Sequence, residues 1–238
     1  MKRKDWKFIG LSVLILFFHS IVGIYFLVNN NSVVKGPLGV NERLNYSGVQ
    51  SSAWILTEVI STDPLGCSSC SSRSPEIAVE RTGHIHVVWN EGTNLFTPQQ
   101  ECNIIYRRWN ATTGAWMAIE EVSTEGKDST NHPTIAVDGE GNVHVAWYEK
   151  TNYSGAGTDY DIFYKCRNAT LGTWTTTEVV STESTAHSRH PKIAVDGKGH
   201  VHVIWWDRTN YSGAGTDADI FYKCWNASTG TWTQTEVI

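Results

Sequence analysis

The sequence repeats itself three times at a fixed interval, and this limits its possible folds more than any other feature. Pro75, Pro133 and Pro191 are 58 residues apart, as are Trp89, Trp147 and Trp205, then Asn110, Asn168 and Asn226, then Trp116, Trp174 and Trp232. A period of this length marks a propeller, solenoid or array, in which each repeat buries its apolar surface only against its neighbours.

Within the middle copy, "TIAVD", "VHVAWYE", "DIFYKCR" and "TWTTTEVVS" are four short β-rich runs, separated by "GEGN", "KTNYSGAGTDY" and "NATLG". The separators carry the Asp-Gly, Gly and Asn residues that tight hairpins require. Eleven tryptophans beside two methionines also favour strands over helices. The spacing predicts an all-β fold, a partial β-propeller of three four-stranded blades at residues 75–122, 133–180 and 191–238. The run "SAWILTEVIST" matches "GTWTTTEVVST", so one extra fourth strand is expected over residues 53–60, within a propeller segment spanning 52–238. Three blades fall short of the four or more that closed propellers use. The expectation is therefore either the first part of a longer propeller or an arc that self-associates through its open blade faces.

Val143, Val145 and Trp147 project to one face of their strand and His144 and Ala146 to the other, and both faces are largely apolar. A sheet with two apolar faces must be covered on both, as a blade between two blades is. The repeated tryptophans are thus expected to be inter-blade core. His86, His144 and His202 recur mid-strand, at positions splayed around an axis, and are expected to be packing residues with a satisfied ring N–H rather than catalysts or metal ligands.

The pattern P-x-I-A-V-D-G-x-G-x-V-H-V-x-W, followed by D-I-F-Y-K and G-T-W-T, resembles the sialidase-like propeller superfamily with its bacterial-neuraminidase-type repeats, over about residues 53–238. In that family an Asp-box, S-x-D-x-G-x-x-W, lies between the third and fourth strands. Here "NATTGAW", "NATLGTW" and "NASTGTW" keep the Gly and Trp without the aspartate. The resemblance also implies an arginine triad, a Tyr-Glu nucleophilic pair and an aspartate acid/base in active members. The nearest match, "IYRRW" with Arg107 and Arg108, lacks the Ile-Pro of the family's motif, so no catalytic residue is carried over.

A meander places its first and third turns at one end, and its second loop and the inter-blade linkers at the other. The first end receives "DGEG", "DGKG" and the sequons at Asn110, Asn168 and Asn226; further sequons stand at Asn30, Asn45, Asn152 and Asn210. The other end receives the longer, more varied loops, so a ligand face is expected there from Tyr153, Asp159, His187, His190, Tyr211 and Asp217. Sugars on Asn152 and Asn210 would crowd that face. Asp159 with Asp161, and Asp217 with Asp219, are expected to cap turns, with calcium (Ca2+) as the alternative. No other cofactor is expected. Trp109, Trp206 and Trp225 are expected to pack at blade edges, with sugar stacking as the alternative.

The first repeat alone carries Cys67, Cys70 and Cys102, expected to converge on a disulfide from Cys102 to Cys67 or Cys70, with a Cys67–Cys70 bridge as the second choice. Cys166 and Cys224 are expected to be buried thiols.

Ahead of the repeats, residues 8–28 form a run of 21 residues without formal charge, long enough as a helix to cross a bilayer. Lys2, Arg3, Lys4 and Lys7 precede it, which orients the N-terminus inside and the repeats outside. Residues 1–28 are therefore expected to be a basic end and transmembrane signal-anchor helix, and residues 29–51 a flexible stalk. With a net charge of -5 the chain is not expected to bind nucleic acid. The expected function is an outward-facing binding module for a glycan or protein. The alternatives are a degenerate or truncated glycoside hydrolase and a structural adhesion element.

Overall fold

The computed structural model describes residues 57–61, 71–93, 101–125 and 130–238, together with the backbone of four short strands nearer the N-terminus. It divides into two compact units, Met1–Glu58 and Val59–Ile238.

In the first unit, β1 (Val13–Phe18) pairs antiparallel with β2 (Ile21–Phe26), and β3 (Val34–Lys35) pairs with β4 (Asn41–Glu42). This corrects the transmembrane helix expected over residues 8–28. No helix among the described residues is long and apolar enough to cross a membrane. The physical reason lies in composition, because Val13, Ile15, Phe17, Phe18, Ile21, Val22, Ile24, Tyr25 and Phe26 are branched or aromatic and suit a pleated ribbon. Hydrophobicity alone does not separate an apolar helix from an apolar hairpin. The pair β3 and β4 also falls within the expected stalk; its other residues lie outside the described ones, as do Asn30 and Asn45.

The second unit holds the three expected blades. The first runs β5 (Ser72–Val79), β6 (Ile85–Thr93) and β7 (Glu101–Asn110), closed by a fourth strand broken into β8 (Ala115–Trp116) and β9 (Glu120–Glu121). The second is β10 (Asn131–Val137), β11 (Val143–Glu149), β12 (Asp161–Arg167) and β13 (Glu178–Val179). The third is β14 (Ser188–Val195), β15 (Val201–Asp207) and β16 (Asp219–Asn226), with β17 (Thr231–Trp232) and β18 (Glu236–Val237) as its broken fourth strand. All pairings in these blades are antiparallel and follow chain order, with both pieces of each broken fourth strand on the third strand, the meander that the turn residues predicted. In the turn between β10 and β11, Asp138 Oδ1 accepts the N–H groups of Glu140 and Asn142, and Gly141 supplies the left-handed φ of 85°.

The first strands gather together, β10 lying against both β5 and β14. Each carries a β-bulge whose central residue is left-handed and precedes a proline: Ser74 (φ 50°), His132 (φ 45°) and His190 (φ 52°).

The blades are held by buried aromatics, as expected. Trp147 and Trp205 are essentially fully buried, Trp147 stacked on its cross-strand partner Phe163 and Trp205 tilted against its partner Phe221. Across the boundaries, Tyr106 meets Trp174 edge-on at 5.3 Å and Tyr164 meets Trp232 at 5.2 Å. A polar latch accompanies them. Lys165, buried mid-strand, donates to the Val122 carbonyl and to Thr124 Oγ1 and pairs with Glu125; Lys223 does the same to Val180, Thr182 and Glu183. Arg107 occupies the same place in the first blade and donates to the Ile60 carbonyl at 2.7 Å. The extra strand expected over residues 53–60 is therefore corrected in form: residues 57–61 pair with no strand, yet Ile60 makes the contact that a preceding blade would make. Residues 53–56 lie outside the described ones.

Candidate functional site

Each recurring histidine hydrogen-bonds a tyrosine of its own blade, and in the second blade an aspartate as well. His86, His144 and His202 place Nδ1 2.8, 2.7 and 2.9 Å from the hydroxyls of Tyr106, Tyr164 and Tyr222. On the other ring nitrogen, His144 Nε2 lies 3.3 Å from Asp138 Oδ2, which assigns that N–H to the carboxylate and leaves Nδ1 to accept the tyrosine proton. His86 Nε2 stands 3.5 Å from Glu80, beyond a normal hydrogen bond. Burial pushes His86 down to about 4 against the pull of Glu80. Burial acts against ionisation of Asp138 too, but hydrogen bonds from His144 and Asn142 hold its carboxyl down to about 2. The partner tyrosine, always 20 residues on, was not foreseen, although the triplicated His/Tyr interval is visible in the sequence.

Asp138 and His144 stand at the edge of a cleft of about 510 Å³ between the second and third blades, at the end bearing the Asp-Gly turns. The second blade contributes Asn142, Tyr164, Cys166, Thr175 and Glu178, and the third contributes Lys198, Gly199 and Trp225. Glu178 Oε2 accepts the indole N–H of Trp232 at 2.9 Å. Trp225 packs edge-on against Trp232 at 5.8 Å while also lining the cleft.

The boundary between the first and second blades is built differently at the same positions. Arg167, one repeat before Trp225, crosses it and binds Glu120 through Nε and Nη2, both at 2.9 Å, with its guanidinium 5.5 Å from the centre of the Tyr106 ring. Arg108 stands where the next blade has Cys166, and Glu80 reaches close to Gly141.

The residues expected to form a ligand face at the other end are divided between packing and loop roles. Tyr153 packs on the core that includes Trp147 and Phe163, and Tyr211 packs against Phe221. His187 accepts the backbone N–H of Tyr160. The Oδ1 atoms of Asp159 and Asp217 crowd Gly157 and Gly215, whose φ values of 99° and 103° and lack of Cβ the loop requires. His190 and His132 meet at 4.6 Å between ring centres in a smaller cavity of about 180 Å³ on the first strands, where Lys192 pairs with Glu76. Of the expected face, His190 lines this smaller cavity, whose lining includes neither Tyr153 nor Asp159. Asp161 accepts the Ser181 hydroxyl proton, and burial, aided by Asp159 and Asp207, pushes its carboxyl up to about 7. Among the described residues no three His, Cys, Asp or Glu side chains gather to hold a metal.

The sequon side chains Asn110, Asn168 and Asn226 accept backbone N–H groups of their own turns through Oδ1, and Asn152 and Asn210 accept from Gly157 and Gly215. Cys102, Cys166 and Cys224 are free thiols; Cys67 and Cys70, the expected partners of Cys102, lie outside the described residues. Burial raises Cys166 to about 11, so the thiol stays protonated at neutral pH.

No protein-family model matches the sequence, and comparison with curated proteins finds no similar one. Similar solved structures include a fucose lectin from Kordia zhangzhouensis in complex with methyl-fucoside, 14% identical over 69% of this chain and 96% of the lectin, with a TM-score of 0.40. They also include Zg3597, a family 117 glycoside hydrolase of Zobellia galactanivorans, 15% identical over 74% of this chain and 58% of that one, TM-score 0.47. An endo-arabinase from Bacteroides thetaiotaomicron is 14% identical over 96% and 80% of the two chains, TM-score 0.44. The chain spans 49% of the length of a further neighbour, a Penicillium chrysogenum α-L-arabinanase. Likeness at this level carries no argument about ligand or reaction.

Proposed function

We propose that the chain is a glycan-binding propeller module that seats a saccharide in the cleft between its second and third blades. One observation carries the reading: the cleft combines an aromatic wall, Trp225, with hydrogen-bonding groups of both kinds from Asp138, Asn142, Thr175, Glu178 and Lys198. A sugar presents apolar C–H faces beside hydroxyls, and this pairing of surfaces matches it. Asp138, ionised at neutral pH, is engaged by Glu140, Asn142 and His144 and has no proton to give a leaving group.

The proposed setting is outside the cell, which the sequons support. Glycan-array screening of the full chain, followed by calorimetry on the best hit, tests the module. Binding is expected to weaken about tenfold or more in Trp225→Ala, as loss of a stacked ring implies. An array without hits, or a hit indifferent to Trp225, would falsify the assignment.

A further inference from the structure

We infer that this cleft selects cationic saccharides, with Glu178 receiving the ammonium group of an amino sugar; the inference rests on the glycan reading above. The chain displays the binding mode itself. At the first boundary Glu120 is held from behind by the Trp174 indole N–H, at 2.9 Å on Oε2, and receives the Arg167 guanidinium from the front over the Tyr106 ring. At the second boundary the acceptor half is rebuilt in the same geometry. Trp232 donates to Glu178 Oε2 at 2.9 Å, and Tyr164 meets Trp232 edge-on at 5.2 Å, against 5.3 Å for Tyr106 and Trp174.

The donor half is what differs, since the chain places Trp225 where Arg167 stood and Cys166 where Arg108 stood. Glu178 has no ion-pair partner among the described residues, whereas Glu120 has a bidentate one. The cleft's formal charges are those of Asp138, Glu140 and Glu178 against Lys198 alone, a balance that disfavours anionic sugars. Trp225 adds a ring face that attracts a cation beside the carboxylate. An ammonium or guanidinium group would complete Glu178 as Arg167 completes Glu120. The saccharide is favoured as its source because the cleft also offers Asn142, Thr175 and Lys198, which a lone side-chain cation does not need.

The test is calorimetry on the full chain in detergent at mildly acidic pH, where amines are charged. Three probes are compared: a glucosamine trimer, its N-acetylated counterpart and Nα-acetyl-arginine amide. The glucosamine trimer is expected to bind about tenfold or more tighter than the acetylated one, a margin that fits a partly desolvated charge pair beside an aromatic ring. The margin should shrink with salt and vanish in Glu178→Gln, while circular dichroism shows the variant folded. Trp225→Arg, which brings its own guanidinium, should block binding. Equal or tighter binding of the acetylated trimer overturns cation selection and leaves the glycan reading standing. Binding of the arginine derivative alone overturns the saccharide source, and with no probe binding and no array hit both readings fall.

Discussion

The Lys165 ammonium donates to the Val122 carbonyl at 2.9 Å across one blade boundary, and Lys223 repeats the contact on Val180 at 3.0 Å across the next. A lysine this buried is tolerable because all its protons are directed at acceptors on the neighbouring blade. Lys165→Met keeps most of the volume but leaves Glu125 and the carbonyl without their donor. It is expected to cost about 2 to 4 kcal/mol in urea unfolding, more than removal of an exposed ion pair would.

His86 gives a pH dependence of definite sign. Its folded value of about 4 lies below the 6.5 of an exposed imidazole, so the unfolded chain binds the extra proton between those values. The contribution is complete above the unfolded value and is lost as pH falls from 6.5 towards 4. His86→Gln is expected to flatten that part of the stability curve, which melting temperatures at half-unit pH steps would reveal.

Asp161 acts in the opposite direction. Raised to about 7 from 3.8, it binds its proton in the folded state while the unfolded carboxyl is already ionised, so stability falls as pH rises through that window. Asp161→Asn keeps an acceptor for Ser181 and removes the charge. It should be more stable than the parent at pH 8, by about 1 to 4 kcal/mol, and nearly equal to it at pH 4. Guanidinium unfolding at the two pH values measures the difference.

Trp225→Arg should move the second boundary towards the structure of the first. The new guanidinium can reach Glu178 as Arg167 reaches Glu120, and an expected gain of about 0.5 to 1.5 kcal/mol follows for a part-buried bidentate pair. An unchanged or lowered denaturation midpoint would mean that the two boundaries differ in more than this residue.

The outer blades present apolar surface to solvent. Ile77 and Val79 are 63% and 65% exposed on the first blade, and Ile220 and Ile238 are 44% and 76% exposed on the third. Concentration-dependent association of the full chain is expected by light scattering in mild detergent, weakened in Ile220→Asp.

The blades were legible because the 58-residue period fixes strand count and order without any single residue being decisive. The tryptophans and histidines followed from alternation alone. Their partners did not, since Tyr106 for His86 and Glu120 for Trp174 depend on how strands and blades are set against each other in space. The latch left one overlooked trace, a basic residue in the middle of an apolar strand in all three copies, at Arg107, Lys165 and Lys223. The cleft was missed for a different reason. The period displays what the repeats share, whereas the cleft arises where they differ, at Arg167 and Trp225. The N-terminal hairpin was not legible because length and hydrophobicity are shared by an apolar helix and an apolar hairpin, and only the branching of the side chains separates them.

The bulges of the first strands bear on solubility. β5, β10 and β14 are each the margin of their sheet, and a straight margin would offer a row of amide groups to any passing extended chain. Ser74, His132 and His190 bend that row, and the prolines after them remove a donor from it. The bulge residues and the prolines after them therefore leave each margin a poor template for fibril growth.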